Sequence, residues 1–174
     1  RRLEQGKMPF RASQQNLVAF MRQIFDSFKD YAVMNRIQYR FETVDEDIPV
    51  WFDPVQIRKV FNNLLSNAFK FTPKEGNITV SVLRKKEFAE IRISDTGSGI
   101  PQSQQAHIFE RFYQADNATG LSLSGSGIGL ALTQEIIMQH KGHIGVKSEL
   151  GEGTTFTVTL PLGDEHLASE QKSA

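Results

Sequence analysis

Cysteine is absent from the 174 residues. That excludes a disulfide framework and any thiolate metal site, and it fits a reducing compartment. Excess charge is absent too: 20 Lys and Arg balance 20 Asp and Glu. The balance gives no electrostatic case for binding nucleic acid or a membrane surface. No apolar run nears the ~20 residues a membrane helix needs, and the opening RRLEQGKMPF lacks an apolar stretch of signal-peptide length. What remains is a length suited to one domain with its own core. Residues 1–12 read as the end of an upstream helix and a connector, as if cut from a longer protein. Residues 163–174, GDEHLASEQKSA, read as a polar linker or frayed end.

The strongest positive signal is a helical pattern that starts at Asp53-Pro54, a good N-cap followed by a residue suited to the first helical position. Ile57, Phe61, Leu64, Ala68 and Phe71 recur at steps of three and four and form an apolar stripe. Asn63, Asn67 and Lys70 form a polar stripe beside it. Two amides and an ammonium in line on a half-buried helix suit an oxygen-rich anionic ligand and its metal ion better than they suit packing.

Around this helix the chain alternates elements. Ser13 is placed to cap a helix running to about Asn35, with Leu17, Phe20, Ile24, Phe28 and Tyr31 on one face. Ile37, Tyr39 and Phe41 alternate as a half-buried strand. Asp45, Glu46 and Asp47 read as a solvated loop. Turn residues at 72–77 lead into strands through Ile78, Val80 and Val82 and from Phe88 to Asp95, which pair as a hairpin. Asp95 shares a face with Ile91 and Ile93. It therefore either points inward, where it needs a hydrogen-bond donor, or leaves the strand to cap the next turn.

Gly97 and Gly99 follow in a turn that lets backbone approach a flat ligand. A short helix from about Ser103 carries Ile108, Phe109 and Phe112, with Arg111 among them. Residues 114–127 are aperiodic and rich in Gly, Ser and Ala, a loop of lid length. It ends at Gly125-Ser126-Gly127-Ile128-Gly129-Leu130, which opens a helix to about Gln139 whose first amides would form an anion site. His140, Lys141 and Gly142 close that helix, His140 reading as a C-terminal positive charge. Strands at 143–148 and 154–160 finish the domain, with Thr154 in phase with Phe156, Val158 and Leu160. The glycine cluster is neither a P-loop, since no Gly-Lys-Ser/Thr closes it, nor the dinucleotide fingerprint, whose spacing it lacks. His107, His140, His143 and His166 have no metal-ligand spacing.

In this order, NLLSNAFKF, DTGSGI, FERFY, GSGIGLAL and GEGTTF resemble the N, G1, F, G2 and final glycine boxes of bacterial sensor histidine kinases. The likeness covers roughly residues 13–162 and is to the catalytic, ATP-binding domain. It implies the Bergerat fold, an α/β two-layer sandwich in which a mixed, largely antiparallel sheet packs on three helices. The resemblance implies ATP and Mg²⁺ as cofactors. Asn67 would ligate the metal, Asn63 and Lys70 would face the phosphates, and Phe71 would lie near the nucleotide. Asp95 would accept from the adenine amino group with Thr154 beside it, and Gly97, Gly99 and Ile100 would border the base. Arg111 would reach the terminal phosphate. Gly125, Gly127, Ile128, Gly129 and Leu130 would form the phosphate side of the lid.

Relatives that hydrolyse ATP on this fold carry Glu where Asn63 stands. An amide cannot take a proton at neutral pH, so Asn63 argues for transfer over hydrolysis. In the family that this chain resembles, the phosphoacceptor histidine usually precedes an acidic residue on a dimerising helix; no histidine here does, so the resemblance implies an acceptor on a dimerisation domain upstream. The parent implied is a homodimeric, membrane-anchored sensor, hybrid types included, and this part would be cytoplasmic, without direct membrane contact. A response-regulator receiver would be its downstream partner. The alternative readings are an ATP-hydrolysing module of the same fold and a degenerate module that binds a protein through its lid.

Overall fold

The computed structural model describes residues 9–113 and 129–173. Its frame is a five-stranded sheet ordered β2-β4-β5-β7-β6. The strands are β2 (Gln38–Thr43), β4 (Asn77–Arg84), β5 (Phe88–Asp95), β6 (His143–Glu149) and β7 (Gly153–Pro161). Only β2 and β4 run parallel; the other pairs are antiparallel. The sheet is thus mixed and largely antiparallel, as the resemblance implies, and the 78–82 and 88–95 segments form the expected hairpin.

Alternation sets the two faces. Ile78, Val80, Ile91, Ile93, Phe156 and Val158 are at most 4% exposed and turn toward the helices. Arg92, Ser94, Thr155 and Thr157 take the other face, exposed or half-buried. Three longer helices cover the apolar face: α1 (Leu17–Asp26), α3 (Pro54–Phe71) and α5 (Gly129–Gln139). The α3 stripe of Ile57, Phe61, Leu64 and Ala68 is buried in this core. Two short helices, α2 (Lys29–Met34) and α4 (Gln102–Gln105), complete the set.

Four local expectations change. Ser13 does not cap a helix; it begins a strand, β1 (Ser13–Asn16), antiparallel to β3 (Pro49–Phe52) with Ser13 opposite Phe52. The cap is Asn16, whose Oδ1 accepts from the N–H groups of Val18 at 3.0 Å, Ala19 at 3.4 Å and, from the β3 side, Ile48 at 3.3 Å. The helix then breaks at Ser27, whose hydroxyl donates to the Ile24 carbonyl at 2.6 Å, and Tyr31 on α2 is 58% exposed.

The Ser103 helix shrinks to the four residues of α4. Gln105 Nε2 turns to the carbonyls of Ile100 and Ser148, and Phe112 takes φ +67°, which no helix tolerates. The tail does not fray. A 3₁₀ turn at Ser169–Gln171 brings Lys172 to pair with Asp164 at 3.0 Å and to lie over Trp51, while the Ala12 N–H donates to the Gln171 carbonyl and the Ala12 carbonyl accepts from the Ser173 N–H. Most of the 1–12 segment and the whole 114–127 loop fall outside the described residues. Among the described residues no helix is long and apolar enough to cross a membrane.

Candidate functional site

The site is built along α3. Its first turn is fixed by Asp53, whose Oδ1 accepts from Val55 and Gln56 at 3.1 and 3.2 Å. Oδ2 accepts from the Arg11 amide at 2.9 Å. The Asp53 N–H itself donates to Nε2 of His140 at 3.0 Å, so the imidazole carries its hydrogen on Nδ1 and donates it to the Ile136 carbonyl at 2.8 Å. His140 is 1% exposed and burial lowers its pKa from the usual histidine value. It is a neutral clamp between the start of α3 and the end of α5, and not the helix-terminal charge the sequence suggested.

Further along α3 the polar stripe appears as expected. Asn63 is half-buried and its Nδ2 donates to Thr133 Oγ1 of α5 at 3.2 Å. Asn67 is 7% exposed and its Nδ2 has no hydrogen-bond partner among the described residues. Lys70 is exposed, with Nζ 5.3 Å from the centre of the Phe71 ring.

The wall opposite Asn67 comes from the sheet. Asp95 ends β5, with Ile78 across it on one side and Thr154 on the other. Asp95 does not leave the strand: it stays in β5, half-buried on the core side, and from there its Oδ1 also accepts from the Gly97 amide at 2.8 Å. Burial raises its pKa to about 6, although the N–H groups of Gly97 and Thr154 pull the other way. Asn67, Phe71, Asp95, Gly99, Ile100 and Thr154 line one small cavity, about 10 Å³ in volume. That is room for about one water.

Backbone closeness explains the turn's glycines. A Cβ on Gly97 would stand 2.5 Å from the Phe71 carbonyl oxygen, and Gly99 has φ +79° where its backbone lies against Glu149. Two open clefts continue from the stripe. One, about 420 Å³, lies at the end of α3 between Lys70, Phe71, Gly97 and Ser98. The other, about 660 Å³, runs from Asn63 and Lys70 to the aromatic side chains of Phe28, Tyr31 and Phe69. Lys70 borders both.

The remaining site candidates separate. Gly129 opens α5 directly against the Asn63 amide. Leu130 is 2% exposed and belongs to the core. Arg111 is exposed in the turn after α4, and among the described residues no hydrogen bond or ion pair ties it to α3 or Asp95. Gly125, Gly127 and Ile128 lie outside the described residues.

Sequence reasoning missed Ser148. Its hydroxyl accepts from the Ile100 amide at 2.7 Å, contacts Thr154 Oγ1 at 2.8 Å and donates to the Gly153 carbonyl at 2.9 Å. It locks the turn after Asp95 to the β6–β7 hairpin. Its only sequence signal would have been its place opposite Thr154 in that hairpin. Thr133 and Ser98 were missed as well. Among the described residues no group of three or more His, Asp or Glu could hold a metal alone. A metal here would have to arrive with oxygens of its own.

The comparisons with known proteins agree with this geometry. Residues 52–164 match the family model described as histidine kinase-, DNA gyrase B- and HSP90-like ATPase. Histidine kinase P4 of Formosa agariphila is 37% identical over 98% of this chain and 13% of its own length. The adaptive-response sensory kinase SasA of Synechococcus elongatus is 45% identical over 68% of this chain and 31% of its own. The solved nucleotide-free catalytic domain of histidine kinase ThkA superposes with a TM-score of 0.74 at 26% identity, covering 86% of this chain and 95% of that one. The chain spans 11–35% of the length of the curated relatives it matches, and it belongs to the histidine kinase-, DNA gyrase B- and HSP90-like ATPase family.

Proposed function

We propose that this chain is the catalytic domain of a two-component sensor histidine kinase, holding Mg-ATP and offering its γ-phosphoryl group to a histidine on a separate dimerisation domain. The observation that carries the reading is one small cavity lined together by the half-buried carboxylate of Asp95, by Thr154 and by Asn67, whose buried Nδ2 is unpaired among the described residues. At neutral pH Asp95, with a pKa of about 6, is mostly ionised and accepts from an exocyclic amino group. A guanine would present a carbonyl oxygen there instead, so the site selects adenine.

Asn67 fits a magnesium site. The metal would be held through its Oδ1, since Mg²⁺ takes one protein oxygen and completes an octahedron with phosphate and water; the buried Nδ2, unpaired among the described residues, would donate to a phosphate oxygen. Bound there, the ion would neutralise phosphate charge. The chain's own residues do the rest: Asn63 and Lys70 orient the phosphates from α3, Gly129 brings the first turn of α5 up to Asn63, and Arg111 meets the terminal phosphate. Catalysis is then positioning and charge neutralisation. With an amide at 63 and no carboxylate, no side chain there takes a proton from water, which sets the domain apart from ATP-hydrolysing modules of the same fold. The named relatives are histidine kinases and a sensory kinase, which supports a response-regulator receiver as the eventual phosphate acceptor. The catalytic unit proposed is residues 13–162, in the cytoplasmic part of its parent.

Calorimetry tests the reading. The chain should bind Mg-ATP and release almost no phosphate. Affinity for Mg-GTP should be at least tenfold weaker, the worth of a hydrogen bond to a charged group. Equal affinities, or no binding at millimolar Mg-ATP, would overturn it. Steady phosphate release abolished by Asn67→Ala would favour the hydrolytic alternative.

A further inference from the structure

Asn63 and Thr133 are 70 residues apart in sequence, on α3 and α5, and meet where those helices pack together. The Asn63 Nδ2–H donates to Thr133 Oγ1 at 3.2 Å. Thr133 is 2% exposed, so bulk water has no access to compete for that hydroxyl. Gly129 stands four residues earlier, on the same side of α5. A Cβ there would come within 2.8 Å of Asn63 Oδ1 and 3.1 Å of Nδ2. The amide is laid against a residue without a side chain and tied at its nitrogen by the hydroxyl one turn on. A buried hydroxyl is unfavourable unless bonded, and valine would fill the same space without that burden.

We infer that Thr133 is a positioning residue for nucleotide binding: together with Gly129 it fixes the plane of the Asn63 amide, so that Asn63 meets the phosphates already oriented. The inference rests on the nucleotide site proposed above. Asn63 otherwise has a freely rotating terminal amide, and immobilising it during binding would weaken affinity. Through the tie, the closeness of α5 to α3 becomes a condition of how Asn63 is presented.

The test is calorimetry of Mg-ATP binding to the full chain, with thermal melts run in parallel. Thr133→Val, which keeps shape and removes the hydroxyl, should weaken binding about 3- to 10-fold, the worth of one neutral hydrogen bond. Thr133→Ser should restore affinity to within about twofold. In an Asn63→Ala background Thr133→Val should change nothing further. Should Thr133→Val fail to fold, Thr133→Ala in the same two backgrounds carries the comparison. The inference is overturned if the loss is the same with and without Asn63, because Thr133 would then act on packing alone. It is also overturned if serine is as damaging as valine, or if valine has no effect. Absence of Mg-ATP binding by the unaltered chain would remove the nucleotide reading itself, a result distinct from all of these.

Discussion

Asp95→Asn should make the nucleotide-free domain more stable while it damages the site. Burial lifts the Asp95 pKa from 3.8 to about 6. A raised folded-state value means that the native fold favours the protonated acid. The associated stability is full below about pH 4 and is lost as pH rises through about 6. Two pH units at 1.4 kcal/mol each put the burden of the ionised carboxylate near 3 kcal/mol at neutral pH. Asparagine removes the charge and keeps an oxygen for the Gly97 and Thr154 amides, the two groups that partly offset burial. In urea at pH 7.5 the variant should therefore unfold with about 2–3 kcal/mol more stability than the parent. The gap should close as pH falls from 6 to 4, because only the parent takes up a proton there. Mg-ATP affinity should fall at least tenfold, since the amide nitrogen would oppose the base's amino group. A variant less stable than the parent at pH 7.5, or a gap that ignores pH, would refute the claim that this carboxylate is held against a folding cost for the sake of a ligand.

Two further outcomes follow from the start of α3. Asp53→Ala removes the side-chain cap of Val55 and Gln56 together with the Arg11 contact. It should lower stability by about 1–2 kcal/mol, and a loss under about 0.5 kcal/mol by urea unfolding would show that the cap is dispensable. His140 has a lowered folded-state pKa, so its contribution is full above the unfolded value of about 6.5 and declines as pH falls through that value toward the lower native one. A proton titration followed by NMR should find His140 neutral at pH 6.5; a normal midpoint would contradict the Asp53–His140–Ile136 arrangement.

Much of this was legible because it obeys short periods. The α3 stripes repeat at three and four, so both the buried face and the Asn63–Asn67–Lys70 line could be placed before any contact was known. Asp95 and Thr154 were placed by strand phase, and register then set them side by side. What was lost depends on pairings between distant segments. Ser13 and Asn16 are both good capping residues. Only the pairing of Ser13 with Phe52 decides that the first is strand and the second cap. β3 is four residues between an acidic turn and a helix start, too short to show alternation. Ser148 and Thr133 are single hydroxyls whose partners sit on other elements, and no window of sequence contains both ends of such a bond.

The misread histidine shows why the site needs more than its motifs. Its position at the end of α5 argues for an exposed charge, but Phe10 packs edge-on at 4.7 Å and Asp53 donates to it from the start of α3. The consequence reaches the stripe. α3 is pinned at its first turn by Asp53 and His140, in its middle by Asn63 on Thr133, and at its last turn by Phe71 against Gly97. Two of these contacts come from α5 and its end, and the third from the turn after β5. Between them Asn67 and Lys70 make no hydrogen bond to a described residue. An unpaired buried amide is costly, and such a group in a native fold is commonly completed by a water, an ion or a functional partner. These fixed points hold α3 in place, and the nucleotide site proposed above would use the groups between them.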